Sequence, residues 1–280
     1  MNTWHDGSDE DAMGDILLCA DERILYAAKQ HPSDCEVPGK SGLSVRALGT
    51  HLNAILREYT GGQGGSARDT GLDPLQRRFE VIAQTNPGAN AVRFNGRLLT
   101  YGELDTQADE LALHLQESGL LPGSFCILEL EPSLAKVRAS LAVLKSGSAC
   151  LHCDPALSRE CVGAVLAVFR PSVLFTRAGG CAEPDAGAMW TIYCDDEAAQ
   201  FPYGWPFEFP VGAGTPAHAF ATVSDSGGLC MSVRTHKALG AGLDTALPIA
   251  PFASAATAPD PADFWQPLSK GALLTIAPRA

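Results

Sequence analysis

The sequence predicts an α/β fold with a doubly wound, largely parallel sheet, and three observations carry that prediction. Short apolar runs recur between Phe125 and Thr176: FCILEL (125–130), ACLHC (149–153) and SVLFT (172–176). The segments between them carry apolar residues at helical spacing, and strand–helix–strand units of this length join parallel strands by right-handed crossovers. Hydrophobic residues make up 46 % of the chain, enough to bury a real core.

Residues 1–42 form an acidic lead in which one helix is expected around Ile16 to Lys29. A clearer helix is expected from Ser44 to Glu58, where Val45, Leu48, Leu52 and Ile55 make one apolar stripe. GGQGGSARDTG (61–71) breaks it and supplies the best domain boundary. Residues 1–70 are therefore read as a short helical N-terminal extension with its linker, and 71–280 as the main domain.

In the main domain, Asn95-Gly96 lies between two β-prone runs and predicts a tight hairpin, because both residues tolerate positive φ. A helix follows from Gly102 to Ser118, with Leu104, Ala108, Leu111 and Leu115 on one face and Gly119 to stop it. Pro122-Gly123 turns the chain into the first buried strand. Pro132 opens the next helix, which carries Leu134, Val137, Leu141 and Leu144 and ends at Gly147. Residues 156–169 read as a helix that ends before Pro171. Residues 177–218 are rich in Gly, Pro and Asp, with one short strand at Trp190 to Tyr193. AFATV (219–223) reads as a strand followed by a Gly-containing turn, with a helix starting near His236 and a last apolar strand at ALLTIA (272–277). The chain stops soon after that strand, so the sheet is expected to be incomplete.

Bulk properties exclude several classes of function. The formal net charge of -12 disfavours nucleic acid and anionic membrane, since both require clustered Lys and Arg. No apolar run is long enough to span a bilayer, and the acidic start MNTWHDGSDEDAMGD is the opposite of a secretory signal. A soluble cytoplasmic protein is expected. The nine cysteines are odd in number and mostly inside apolar runs, which predicts free, buried thiols.

Three segments carry a family resemblance. LTYGEL (99–104) resembles the pattern LTYxEL, and LKSGSACLHCDP (144–155) resembles LKAGxAYxPxDP. The lead-in RRFEVIAQTNPGANAVRFNGR (77–97) is similar to FExQAxxTPxxxAV. Together these resemble the adenylation domain of nonribosomal peptide synthetases, within the AMP-binding, adenylate-forming superfamily. THKAL (235–239) and FWQPLSKGALLTIAP (264–278) look like later segments of the same large subdomain, so the resemblance covers residues 75–280. It implies a subdomain that uses ATP and Mg2+ to make an aminoacyl adenylate, which passes to a carrier-protein thiol. The partners it implies are a peptide synthetase, a carrier protein or a small accessory protein.

The resemblance also says where the chemistry should sit. A Gly/Ser/Thr-rich loop must present N–H groups to the ATP phosphates, and a lysine adds charge. The family's TSGSTGxPKG corresponds to TVSDSGGLCMSVRTH (222–236), which keeps Ser224, Ser226, Gly227 and Gly228 as candidate ATP contacts. It lacks the proline and the lysine: no Lys lies between Lys145 and Lys237, and Asp225 adds negative charge. Those losses favour an ordinary strand-to-helix turn. The aspartate that holds the substrate ammonium would fall at Ala258, with Asp260 and Asp263 out of step. The family's adenine, ribose and hinge motifs and its late catalytic lysine would lie beyond residue 280. We therefore assign no catalytic residue and no metal ligand, and expect a truncated, degenerate form unable to adenylate alone. Two other readings fit: a noncatalytic module that docks on a synthetase, and one half of a split ligase.

The remaining signals read as structure. Cys150-Leu151-His152-Cys153 lies in a strand, where alternation points the two thiols to opposite faces. His236 reads as a helix-start residue, Asp154-Pro155 as a strand end, and Phe264 and Trp265 as core.

Overall fold

The computed structural model describes residues 15–17, 73–154, 157, 159–177, 190–194, 204–212, 214–223, 229–243 and 261–276. The expected helix at 44–58 and the Gly-rich linker lie outside them. The expected helix from Ile16 is corrected at its start. Asp15–Leu17 is a strand, β1, whose extended backbone pairs antiparallel with residues 232–234.

Helix α1 (Leu75–Thr85) opens the main domain and buries Leu75, Phe79 and Ala83. The hairpin of β2 (Asn90–Phe94) and β3 (Arg97–Thr100) follows, turned by Asn95 at φ 48 and Gly96 at φ 77 as its residue types predict. Helix α2 (Tyr101–Glu117) begins in a reciprocal cap. Thr100 Oγ1 accepts from the Glu103 N–H at 3.2 Å, and the Glu103 carboxylate accepts from the Thr100 N–H at 2.8 Å. Gly119 at φ 94 ends the helix region.

Strand β4 (Phe125–Leu128) leads to helix α3 (Leu134–Lys145), then to β5 (Ala149–Cys153), α4 (Arg159–Phe169) and β6 (Val173–Thr176). Pro132 stands before the helix, and it is Ser133 that caps it, its side chain accepting from the Lys136 N–H at 3.2 Å. Strand β7 (Trp190–Tyr193) and strand β8 (Pro216–Val223) come next.

One element was not expected. Leu229–Thr235 is a strand, β9, paired antiparallel with β8 from Val223↔Leu229 down to Pro216↔Thr235. The residues between are thus a strand-to-strand connection, not a strand-to-helix turn. The signal lies in the alternation: Leu229, Met231 and Val233 are buried on one face, while Ser232 and Arg234 break what would otherwise be an apolar run. Helix α5 (His236–Leu243) starts at His236 as expected, followed by α6 (Pro261–Leu268) and β10 (Leu274–Ile276).

Among the described residues the main sheet has the order β1-β9-β8-β5-β4-β6-β7. β8, β5, β4, β6 and β7 are mutually parallel, and β9 and β1 are antiparallel. The largely parallel α/β sheet is therefore as predicted. The last strand goes elsewhere: β10 pairs parallel with β2 in a separate three-stranded sheet, order β10-β2-β3.

Side-chain alternation divides the core into two layers. Cys126, Leu128, Cys150, Val173 and Phe175 face α1, α2, α3, α5 and α6. Phe125, Ile127, Ala149, Leu151 and Leu174 face α4 with its Val165, Val168 and Phe169. Helix α3 is buried from Leu134 through Leu144, including Lys136, Arg138 and Ser140, because layers cover it on every side. At its end Lys145 Nζ lies 2.7 Å from Asp105, 2.5 Å from Asp109 and 3.5 Å from Glu80, tying α3 to α1 and α2. The free thiols of Cys126, Cys150 and Cys194 are buried, and those of Cys153 and Cys161 partly so. Among the described residues no helix is long and apolar enough to cross a membrane.

Candidate functional site

The candidate phosphate-loop residues Ser224, Ser226, Gly227 and Gly228 lie outside the described residues, as do Ala258 and Asp260. The strands on either side are described: β8 ends at Val223 and β9 begins at Leu229, and these two residues pair. Asp154 N–H donates to the Ala221 carbonyl at 2.8 Å, so the end of β5 is fastened beside the end of β8. Asp263 falls in the first turn of α6.

A triphosphate cradle needs positive charge at this loop, and the described residues do not supply it. Arg234 is the cation on β9, but its Cα partner is His218, five residues down the ladder from Val223. At about 3.4 Å per residue that is roughly 17 Å of strand. Its guanidinium lies 5.6 Å from the centre of the Phe220 ring, a cation–π contact on the sheet face.

The sheet face below the loop holds a polar group that sequence reasoning missed. Cys150 and His152 are two residues apart on β5 and share a face, and β8 brings His218 opposite Cys150 and Phe220 opposite His152. His218 is fully buried and His152 is 3 % exposed. His152 Nε2 and His218 Nδ1 are 2.9 Å apart, and Trp265 Nε1 on α6 is 2.9 Å from His218 Nε2. The protons in this chain follow from the donors. An indole N–H only donates, so His218 Nε2 accepts and the ring's proton sits on Nδ1. That proton goes to His152 Nε2, so the proton of His152 sits on its own Nδ1. Both rings are neutral by construction. Burial first, then neighbouring positive charge (His218 and Lys136 for His152; His236, Arg234 and Lys136 for His218), holds both well below the usual imidazole range.

These groups also bear on metal binding. Cys150, His152 and His218 bring potential ligand atoms within 4.8 Å of one another. Yet the two imidazole planes differ by only 7° with centres 5.1 Å apart, while the facing nitrogens are 2.9 Å apart. The rings therefore lie edge to edge in nearly one plane, with their lone pairs aimed along one line. A proton fits there. A metal at about 2.0–2.1 Å from each nitrogen would need about 4 Å in that line, or lone pairs that converge. Burial also holds the Cys150 thiol well above its usual range, with Cys126 beside it adding to the effect, and the thiol donates to the Ser140 carbonyl at 3.7 Å.

Lys136 lies one helical turn from Ser140 on α3 and is 9 % exposed. Burial pushes its ammonium down to about 8, opposed by the neighbouring Cys150. His236 is 2 % exposed, and its Nδ1 accepts from the Leu75 N–H at 3.2 Å. Burial holds that imidazole down to about 3. Tyr101 Oη approaches the carbonyls of Ala272 at 2.9 Å, Leu268 at 3.2 Å and Pro267 at 3.4 Å, fixing the end of α6 against α2. Phe264 and Trp265 are core, as expected.

Comparison with known proteins agrees with the resemblance read from the sequence. Residues 79–201 match the family described as AMP-binding enzyme. The chain is 41 % identical over 106 residues to malpinin synthetase of Mortierella alpina, covering 38 % of this chain and 1 % of that protein. It is 37 % identical over 103 residues to surfactin synthase subunit 3 of Bacillus subtilis, covering 37 % of this chain and 8 % of that protein. The chain thus spans a small fraction of the length of these relatives. In structure it is similar to the NpsA N-terminal subdomain of Klebsiella oxytoca in complex with 3-hydroxybenzoyl-AMSN, with a TM-score of 0.59 at 23 % identity over 75 % of this chain and 55 % of that one. The AMPPNP-bound form of the nonribosomal peptide synthetase FmoA3 gives a TM-score of 0.59 at 24 % identity, over 81 % of this chain and 24 % of that one. Both share the fold.

Proposed function

We propose that this chain, which carries the N-terminal part of an adenylation domain of the nonribosomal peptide synthetase type, serves peptide biosynthesis in the cytoplasm without completing amino-acid adenylation by itself. Residues 71–280 are the adenylation-like domain in this reading and residues 1–70 its N-terminal extension. ATP and Mg2+ are the family's reagents, and Ser224, Ser226, Gly227 and Gly228 would give the loop its remaining phosphate contacts. The observation that carries the reading is the charge at that loop. Its one acid, Asp225, stands where the family pattern has none, and Arg234 is engaged with Phe220 well down the sheet. Anionic phosphate 4 Å from a carboxylate is repelled by about 1–4 kcal/mol for effective dielectric constants of about 80 to 20.

The test is ATP–pyrophosphate exchange by the purified chain across the amino acids, with an intact adenylation domain as control. Exchange within tenfold of the control for any amino acid defeats the reading. Exchange restored by adding a synthetase, a carrier protein or a second polypeptide would support a chain that works beside a partner.

A further inference from the structure

The hydrogen-bond chain Trp265–His218–His152 ends on a donor that meets no acceptor among the described residues. The protons run from the indole to His218 and from His218 to His152, which leaves His152 Nδ1–H as the terminal group. Among the described residues that nitrogen is buried and has no hydrogen-bond partner. Leaving such a donor unmet costs about 1–3 kcal/mol, so native folds seldom do it without reason.

The surroundings say what kind of acceptor it awaits. Ser140 of α3 stands over Cys150, and Lys136 lies one helical turn earlier; α3 runs antiparallel to β5, so that turn leads toward the end of β5 that holds His152. Among the described residues the one group that raises its affinity for a proton is the Cys150 thiol, not a carboxylate. Arg234 lies on the same face from β9, over Phe220, whose ring in turn lies 5.2 Å from His152 at 17°. From α6 the face receives Trp265, a donor only. The nearby acid, Glu129, is turned to the other layer: it accepts from Thr176 Oγ1 at 2.7 Å and acts on Cys153 there. Among the described residues the Lys136 ammonium thus stands toward His152 with no carboxylate partner, while the Cys150 thiol is already bonded to the Ser140 carbonyl.

We propose that His152 and Lys136 form a buried site for a single anionic oxygen group, a carboxylate or a phosphate. The oxygen accepts the His152 Nδ1–H and pairs with the Lys136 ammonium. A water molecule would meet the imidazole donor but leave the buried charge uncompensated, whereas an anion meets both needs at once. The site does not rest on the adenylating reading and would persist in a chain that binds no nucleotide.

The test is an NMR titration of the 15N-labelled full chain at pH 7.5, following the imidazole nitrogens of His152 and His218. Acetate and inorganic phosphate are added in separate arms, each against sodium chloride at matched ionic strength. We expect a saturable shift of His152 Nδ1–H, with His218 staying protonated on Nδ1. Saturation by acetate alone assigns a carboxylate, and saturation by phosphate assigns a phosphoryl group. The variant Lys136→Met, which keeps the length of the side chain, should weaken binding at least tenfold. Shifts in the wild-type chain no larger than those with sodium chloride overturn the site, whether or not the variant folds. So does full-strength binding by a folded Lys136→Met chain.

Discussion

At the scale of single residues, the buried histidines govern how this protein responds to acid. His152, His218 and His236 are all held neutral by burial, and each accepts a hydrogen bond at a nitrogen that protonation would block. Their affinity for protons is lower folded than unfolded. The stabilisation this reflects is complete above the ordinary imidazole value near 6.5 and is lost as pH falls below it, because the unfolded chain then binds protons that the folded chain cannot. Three such groups predict a fall of about 4 kcal/mol per pH unit below about pH 6, at about 1.4 kcal/mol each. For His236 the fall continues to about pH 3. Urea unfolding at a series of pH values between 7 and 5 measures the slope, and His236→Gln should reduce it by one proton. Replacing His218 by leucine strands both the Trp265 N–H and the acceptor of His152, and should cost about 2–4 kcal/mol. In a cycle with Trp265→Phe the two losses should sum to more than the double variant shows, since they share one bond.

At the scale of elements, stability concentrates where α1, α2 and α3 meet. Lys145 answers three carboxylates from two other helices with one ammonium, its side chain only 4 % exposed. Burial alone would lower its affinity for a proton, but Asp105 and Asp109 more than offset it, so the group stays charged. Asp109 shows the other side of the balance, because burial raises it more than Lys145 lowers it. Removing the cation leaves buried carboxylates without a counter-charge. Lys145→Met should therefore destabilise by about 3–5 kcal/mol in denaturant unfolding, with the loss smaller in acid, where Asp109, which burial holds above the usual carboxylate range, takes up a proton. The cap of α2 is a milder device: Thr100→Ala should cost about 1 kcal/mol. Tyr101→Phe removes the hydroxyl that reaches the carbonyls at the end of α6, and should cost about 1 kcal/mol while raising proteolytic susceptibility around residues 261–276.

At the scale of the whole molecule, the adenylation-like fold and the charge of its loop pull in different directions. The FmoA3 structure that shares this fold holds AMPPNP, whereas the sequence between β8 and β9 here carries an acid and no cation. Thermal unfolding of the chain with and without millimolar ATP and Mg2+ measures the balance directly, since a ligand bound by the folded state raises the midpoint in proportion to RT ln(1 + [L]/Kd). We expect a midpoint shift below 1 °C. Asp225→Lys, which exchanges the acid of this segment for a cation, should increase the shift if charge is the missing element.

The sequence by itself determined the order of the elements and the character of the sheet. Apolar runs of strand length, helical spacing between them and positive-φ residues at Asn95-Gly96 are local signals, written within a few residues of where they act. The resemblance at 75–177 was legible for the same reason. Strand β9 was half legible: its alternation is local, but Ser232 and Arg234 concealed it until β8 supplied the partner. Only the tertiary structure decided that β10 leaves the main sheet for β2, because strand pairing depends on contacts far apart in sequence. It alone decided that Cys150, His152, His218 and Trp265 meet. Alternation put Cys150 and His152 on one face, but nothing local to either residue names a partner 66 to 115 positions away. The proton on His152 is likewise a property of the assembled chain, fixed by a tryptophan from a different helix.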